Sequence, residues 1–121
     1  MKSQERVYLD WAAATPLLPA AKAAMEPFLM GNFGNPSAIH AEGQMAREAV
    51  EAARAVSARA LSVRPEFVTF TGSGTEANNI AILGTIERFR QAGREYSSME
   101  VISTAIEHPS VSQALAHLVS L

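Results

Sequence analysis

Phe67-Val68-Thr69-Phe70-Thr71-Gly72-Ser73-Gly74-Thr75-Glu76-Ala77-Asn78-Asn79 is the stretch whose reading decides the fold. Its first five residues are β-branched or aromatic, the composition of a strand. Gly72-Ser73-Gly74 then turns the chain at once. Residues 75–91 carry Ile80, Leu83, Ile86 and Phe89 at helical spacing, facing inward, and Gly93 stands where a left-handed residue would end that helix. Residues 99–104 read as a second strand, and residues 111–121 as a further helix capped by Ser110. Strand, glycine turn, helix, strand, helix is a βαβ unit, which builds parallel sheets with right-handed crossovers. The expected fold class is therefore α/β: a partial parallel-rich sheet flanked by helices, with an N-terminal arm. Two parallel strands are an unfinished sheet, because such strands have neighbours on both sides and cover on both faces. The isolated chain is expected to associate through its apolar edges.

Upstream, residues 3–19 read as an irregular arm, with a short β-prone run at Val7-Tyr8-Leu9, a turn at Asp10, and punctuation at Pro16 and Pro19. Pro19 suits the first turn of a helix. Residues 20–30 are expected to be helical, kinked or broken at Pro27. Gly31-Asn32-Phe33-Gly34-Asn35-Pro36 is dense in turn formers. Ser37 is the expected N-cap of a long helix over residues 38–61. Met45, Ala49, Val50, Ala53, Val56, Ala60 and Leu61 form its inward face, and Arg47, Glu48, Glu51, Arg54 and Arg59 its solvated one. The organisation that follows is an arm over residues 1–19 and one incomplete domain over residues 20–121.

The chain has 121 residues, 48% of them hydrophobic and 18% charged, with a formal net charge of -2. Those values suit one modest globular domain and argue against disorder. No Lys/Arg stripe is present, so nucleic acid is not an expected partner. The absence of cysteine removes disulfides and thiolate metal sites and fits a reducing compartment. Residues 1–6 are polar and lack the apolar core of a signal peptide, and no apolar run reaches bilayer-spanning length. A cytoplasmic location without a membrane partner is expected. The end, Ala116-His117-Leu118-Val119-Ser120-Leu121, stops within an apolar periodic stretch, which suggests a core that continues elsewhere.

The glycine turn has two readings. A helix opening offers unpaired N–H groups and partial positive charge, glycines let the backbone approach an anion, and Thr75 adds a hydroxyl, which together make a phosphate cradle. Alternatively it is a tight turn in which Thr75 caps the helix and binds nothing. The turn matches neither the dinucleotide fingerprint nor the Walker pattern. His108 follows the second strand in the loop Ile106-Glu107-His108-Pro109, on the sheet rim where α/β proteins bind ligands. It could stack on a flat ring or move protons, or be an idle loop histidine. His117 reads as structural or surface and His40 as solvent-facing. The three histidines lack metal-ligand spacing, so no metal is expected.

Four motifs in order then carry a resemblance. They are Tyr8-Leu9-Asp10-Trp11-Ala12-Ala13-Ala14-Thr15-Pro16, Gly34-Asn35-Pro36-Ser37-Ala38-Ile39-His40 with Gly43 and Ala46, Phe70-Thr71-Gly72-Ser73-Gly74-Thr75-Glu76-Ala77-Asn78-Asn79, and Thr104-Ala105-Ile106-Glu107-His108. Together they resemble the N-terminal portion of cysteine desulfurases, pyridoxal-phosphate enzymes of fold type I in the class V aminotransferase family. The resemblance implies pyridoxal 5'-phosphate as cofactor, with its phosphate held at Gly74 and Thr75. It implies that His108 stacks on the cofactor ring and serves catalysis by proton transfer. Asp10 and the Asn35 to His40 loop match as well and receive no chemical role. In the complete family the reaction takes sulfur from L-cysteine, leaving L-alanine and an enzyme persulfide. A homodimer, a sulfur-acceptor protein and a link to iron–sulfur cluster assembly go with it. Trp11, Ala14, Ala38 and the reversed Gly72-Ser73 order depart from the usual pattern and leave the sub-family open. Selenocysteine lyase or another class V aminotransferase-type enzyme is the near alternative. A non-catalytic module binding a phosphate-bearing ligand or a protein partner is the distant one.

The family's chemistry needs a Schiff-base lysine, an acid at the pyridine nitrogen and a sulfur-accepting cysteine. The chain has no cysteine, and its two lysines, Lys2 and Lys22, match no such motif. Inactivity of the chain alone is expected. A fragment, one half of a split enzyme and a degenerate remnant are all compatible with that composition.

Overall fold

A computed structural model describes residues 7–121. The polar start at residues 1–6, including Lys2, lies outside the described residues. Four α-helices carry the regular structure: α1 (Pro19–Met30), α2 (Ala41–Leu61), α3 (Gly74–Gln91) and α4 (Pro109–Val119). Single 3-10 turns lie at Pro65–Phe67 and Tyr96–Ser98. The chain divides into two compact units, one ending at Val68 and the other spanning Thr69–Leu121.

The expected parallel sheet is absent from the described residues, and the α/β class is corrected to an all-helical arrangement. Residues 67–71 and 99–104 are no strands. Their backbone is extended in places, with φ -101° and ψ 122° at Val68 and φ -110° and ψ 142° at Met99. Phe67, Val68 and Met99 use their amides in turn bonds to the Arg64, Pro65 and Tyr96 carbonyls instead of in a ladder. A strand exists through its ladder, and β-rich composition reports fit to a pleated surface more than an autonomous backbone preference.

In the first unit the arm folds on itself. Tyr8 donates its hydroxyl to the Asp10 and Ala14 carbonyls at 2.7 and 3.1 Å, and the Trp11 indole donates to the Tyr8 carbonyl at 3.0 Å. Helix α1 runs through Pro27 instead of breaking there. Proline removes one N–H from the ladder, but only one turn remains to be built. The Pro27 carbonyl closes that turn by accepting the amides of Gly31 and Asn32 at 3.2 and 2.8 Å.

Helix α2 begins at Ala41, three residues later than expected, and His40 caps it in place of Ser37. Ser37 belongs to the preceding turn, where its amide donates to Asn35 Oδ1 at 2.9 Å. The inward face also differs. Gly43 and Ala58 are buried, whereas Met45, Val56 and Leu61 are exposed. Arg54 is not on a purely solvated face: its Nε lies 3.2 and 3.1 Å from the two Glu51 carboxylate oxygens, and its Nη1 donates to the Val68 carbonyl. The chain returning through Pro65–Phe67 packs on α2, so its path, not the apolar periodicity, selects the covered side.

In the second unit α3 packs against α4, with Ile86, Ala114 and Ser110 buried between them. Of the expected inward residues of α3, Ile86 is buried and Leu83 half-buried, while Ile80 and Phe89 are exposed. Gly93 ends α3 as expected, at φ +92°. Gly93 N donates to the Arg90 carbonyl at 2.9 Å and Arg94 N to the Phe89 carbonyl at 3.1 Å, the paired bonds of a left-handed helix stop. Helix α4 starts at Pro109 and is capped by His108, not Ser110. No helix of the described residues is long and apolar enough to cross a membrane.

Candidate functional site

Gly74 is the first residue of α3 and Thr75 the second. Ser73, not Thr75, is the N-cap: its backbone is extended and its Oγ accepts from the Glu76 amide at 3.1 Å. The first helical backbone bond runs from Ala77 N to the Ser73 carbonyl at 3.1 Å. Upstream, Thr71 donates its hydroxyl to the Ser73 carbonyl at 3.1 Å. Glu76 folds back and takes the Gly72 amide at 2.6 Å. Ser73 and Glu76 thus satisfy two donors of the helix opening, a variant of the capping box. The amides of Gly74 and Thr75 meet no acceptor among the described residues. A Cβ built on Gly74 would have nothing within 4 Å. Two adjacent donors at the positive end of an 18-residue helix, beside open space and a threonine hydroxyl, suit a phosphate. The Glu76 carboxylate is the one like charge in this turn, and it is tied to Gly72.

His108 stands at the opening of α4. Its backbone, φ -60° and ψ 146°, is extended, as the following proline requires. Nδ1 accepts from the Ser110 amide at 3.1 Å and lies 2.8 Å from Ser110 Oγ. Ser110 Oγ in turn accepts from Asn78 Nδ2, on α3, at 2.8 Å. Two hydrogen bonds therefore tie the imidazole to the second turn of α3, four residues beyond Gly74. Just before it, Thr104 donates its hydroxyl to Glu107 Oε1 at 2.7 Å.

The structure links His108 to the second turn of α3 within one unit, through Ser110 and Asn78 and not through a sheet rim. Sequence reasoning missed Ser110 and Asn78, the groups that make this link. The signal for Ser110 was its place two residues after His108 at a helix start, and Asn78 lay in the glycine motif itself. His40 is the α2 cap, with Nδ1 3.4 Å from the Gly43 amide and 2.8 Å from Glu42 Oε2. His117 is exposed in the last turn of α4. No group of three metal-ligating side chains occurs among the described residues.

The pattern of Aminotransferase class-V matches residues 7–120. The chain belongs to the class-V aminotransferase family. Its relatives carry the cysteine desulfurase resemblance read from the four motifs. "Cysteine desulfurase IscS" of Dictyoglomus turgidum is 41% identical over 108 residues, 89% of this chain and 26% of that protein. "Putative cysteine desulfurase IscS 1" of Bacillus subtilis is 41% identical over 107 residues, 88% of this chain and 27% of that protein. "Selenocysteine lyase" of Xenopus tropicalis is 36% identical over 120 residues, 93% of this chain and 28% of that protein. The chain spans about a quarter of the length of the curated relatives it matches. Class-V aminotransferases are a pyridoxal-phosphate-dependent enzyme family.

Proposed function

We propose that the chain is the N-terminal part of a pyridoxal-phosphate enzyme of the cysteine desulfurase type, with residues 1–19 as an arm and residues 20–121 as the beginning of the cofactor-binding domain. The observation that carries this reading is the pair of open amides at Gly74 and Thr75, on the helix to which His108 is tied through Ser110 and Asn78. Gly74 and Thr75 hold the cofactor phosphate through two backbone N–H groups and one hydroxyl. The missing Cβ of Gly74 leaves room for the anion to approach. His108 would lie against the cofactor ring and hold a proton at the ring nitrogen not bonded to Ser110. Pyridoxal phosphate, when bound, supplies an electron-withdrawing ring that accepts charge from the reacting substrate carbon.

The substrate of the whole enzyme is L-cysteine and its products are L-alanine and a sulfur atom handed to a cysteine. That cysteine and the anchoring lysine come from outside this chain, which has no cysteine and only Lys2 and Lys22. The chain alone is therefore inactive, and the complete enzyme is a homodimer that serves a sulfur-acceptor protein in the cytoplasm. Selenocysteine lyase is the second reading, favoured by the 36% identity to the Xenopus tropicalis protein.

Titration of pyridoxal phosphate with the chain, followed by its 31P signal, tests the site. The expected result is a saturable shift that inorganic phosphate reverses and that Gly74→Ala weakens. A 31P signal that stays put, or one that moves equally with the Gly74→Ala chain, overturns the assignment.

A further inference from the structure

We propose that Ser110 and Asn78 are positioning residues for His108: they keep Nδ1 of the imidazole as an acceptor and so leave the proton of the neutral ring on Nε2. The inference rests on the reading of His108 as the residue beside the cofactor ring and extends it to Asn78, a motif residue given no chemical role, and to Ser110, which lies outside the four motifs.

The direction of each bond follows from what the atoms can do. Asn78 Nδ2 only donates, so Ser110 Oγ is the acceptor across that 2.8 Å contact. The hydroxyl hydrogen of Ser110 is then free for His108 Nδ1, also 2.8 Å away. The Ser110 amide only donates as well, and it reaches the same Nδ1 at 3.1 Å. Two donors converge on one ring nitrogen, which therefore carries no hydrogen of its own. Ser110 is 8% exposed, so water competes little for its hydroxyl. Rotation about the outer torsion of a histidine is soft, and turning the ring over would break both bonds to Nδ1. The result is a fixed ring plane with an N–H at the unbound end.

The link also crosses between helices. Asn78 sits on α3, whose opening is the proposed phosphate site, and Ser110 on α4, whose opening carries the imidazole. The chain Asn78 to Ser110 to His108 thereby sets the register of the ring against the phosphate donors. A cap of α4 alone would need only the Ser110 amide. The hydroxyl and Asn78 are surplus to capping, which separates a positioning role from a structural one.

The test uses the full chain labelled with 15N at its histidines, with His108 distinguished from His40 and His117 by comparison with His108→Gln. Long-range 1H–15N correlation is expected to show Nδ1 at the unprotonated end of the imidazole range and Nε2 at the protonated end. In Ser110→Ala the two shifts should move toward each other as the tautomers mix, while α4 amide and Cα shifts stay helical. Ser110→Thr should restore the separation, and Asn78→Leu should reduce it by less than Ser110→Ala. A wild-type chain with the proton on Nδ1 overturns the proposal, and it does so even if a variant fails to fold. A Ser110→Ala spectrum identical to wild type overturns it too. The same samples titrated with pyridoxal phosphate keep the two claims apart. Cofactor binding with freely mixing tautomers sinks only the positioning role. A single Nε2–H tautomer without cofactor binding upholds the hydrogen-bond chain and sinks the proposed function.

Discussion

Helices α2 and α3 both open on a glycine-bearing loop that matches a family motif, and the two openings are built in opposite ways. At α2 the chain fills its own approach. A Cβ on Gly43 would lie 2.5 Å from the Ala38 carbonyl oxygen and 2.8 Å from that of Asn35, and a Cβ on Gly34 would lie 2.2 Å from that of Glu42. Arg47 Nη2 and Gln44 Nε2 fasten the loop by donating to the Ala38 and Ile39 carbonyls at 2.9 and 3.0 Å. At α3 a Cβ on Gly74 would meet nothing within 4 Å, and the first two helix amides meet no acceptor among the described residues. Glycine allows a close approach in both places, but backbone makes the approach in one and no described atom makes it in the other. A glycine in a family motif is thus no sign of ligand binding by itself; what surrounds its missing Cβ decides.

The contrast breaks first at Gly43. Gly43→Ala pushes a methyl into rigid backbone and is expected to cost about 1–3 kcal/mol, the range for overpacking a filled site. Denaturant unfolding measures this, and a wild-type midpoint would remove the distinction between the two openings. Gly74→Ala should instead leave the fold intact, or stabilise α3 slightly through the higher helix preference of alanine. It should weaken pyridoxal-phosphate binding about tenfold, or ~1.4 kcal/mol. Next come the caps. Ser73→Ala should cost about 1 kcal/mol, the usual worth of a serine cap. His40→Ala should cost less, because its contact to the Gly43 amide is 3.4 Å against 3.1 Å for Ser73 to Glu76. Hydrogen exchange in the first turn of each helix ranks them.

The smallest effect lies at the other end of α3. Arg90, and then Gln91, hold the Glu87 carboxyl below the ordinary carboxylate range, and the Arg90 guanidinium is raised in return. A lowered folded-state value means that the unfolded chain binds the proton more readily. The support is therefore complete above the ordinary glutamate value and is lost as pH falls through the lowered one. Glu87→Gln should abolish this pH dependence of exchange in the last turn of α3 while leaving both helix openings unchanged.

The helices themselves were legible in the sequence, because glycine, proline and apolar spacing are local signals. Gly93 stopped α3 where its left-handed preference required, and the glycine turn opened α3 within a residue of its expected start. Caps were less legible. Serine and threonine were the natural candidates, yet His40 and His108 cap α2 and α4. At His108 the deciding neighbour is Pro109, which forces the preceding residue out of the helical region and takes the first helical position itself. The strands were misread for a different reason. Residues 67–71 and 99–104 have strand composition, but composition names no partner, and without a ladder the extended backbone at Val68 and Met99 makes turn bonds instead of a strand. Arg54 shows the same limit on α2. Periodicity assigned it to solvent, while the carbonyl of Val68, brought by a later segment, draws it in. For the candidate site, the positions of Gly74, Thr75 and His108 in motifs were visible, and the Ser110–Asn78 link between them was not, since it joins residues 32 apart.

The most direct test follows backbone amides of the 15N-labelled chain during titration with pyridoxal phosphate. The Gly74 and Thr75 signals should move together and saturate, with inorganic phosphate moving the same pair, while Gly34 and Gly43 stay still. Stationary Gly74 and Thr75 signals, or a response centred on the α2 opening, would contradict the account.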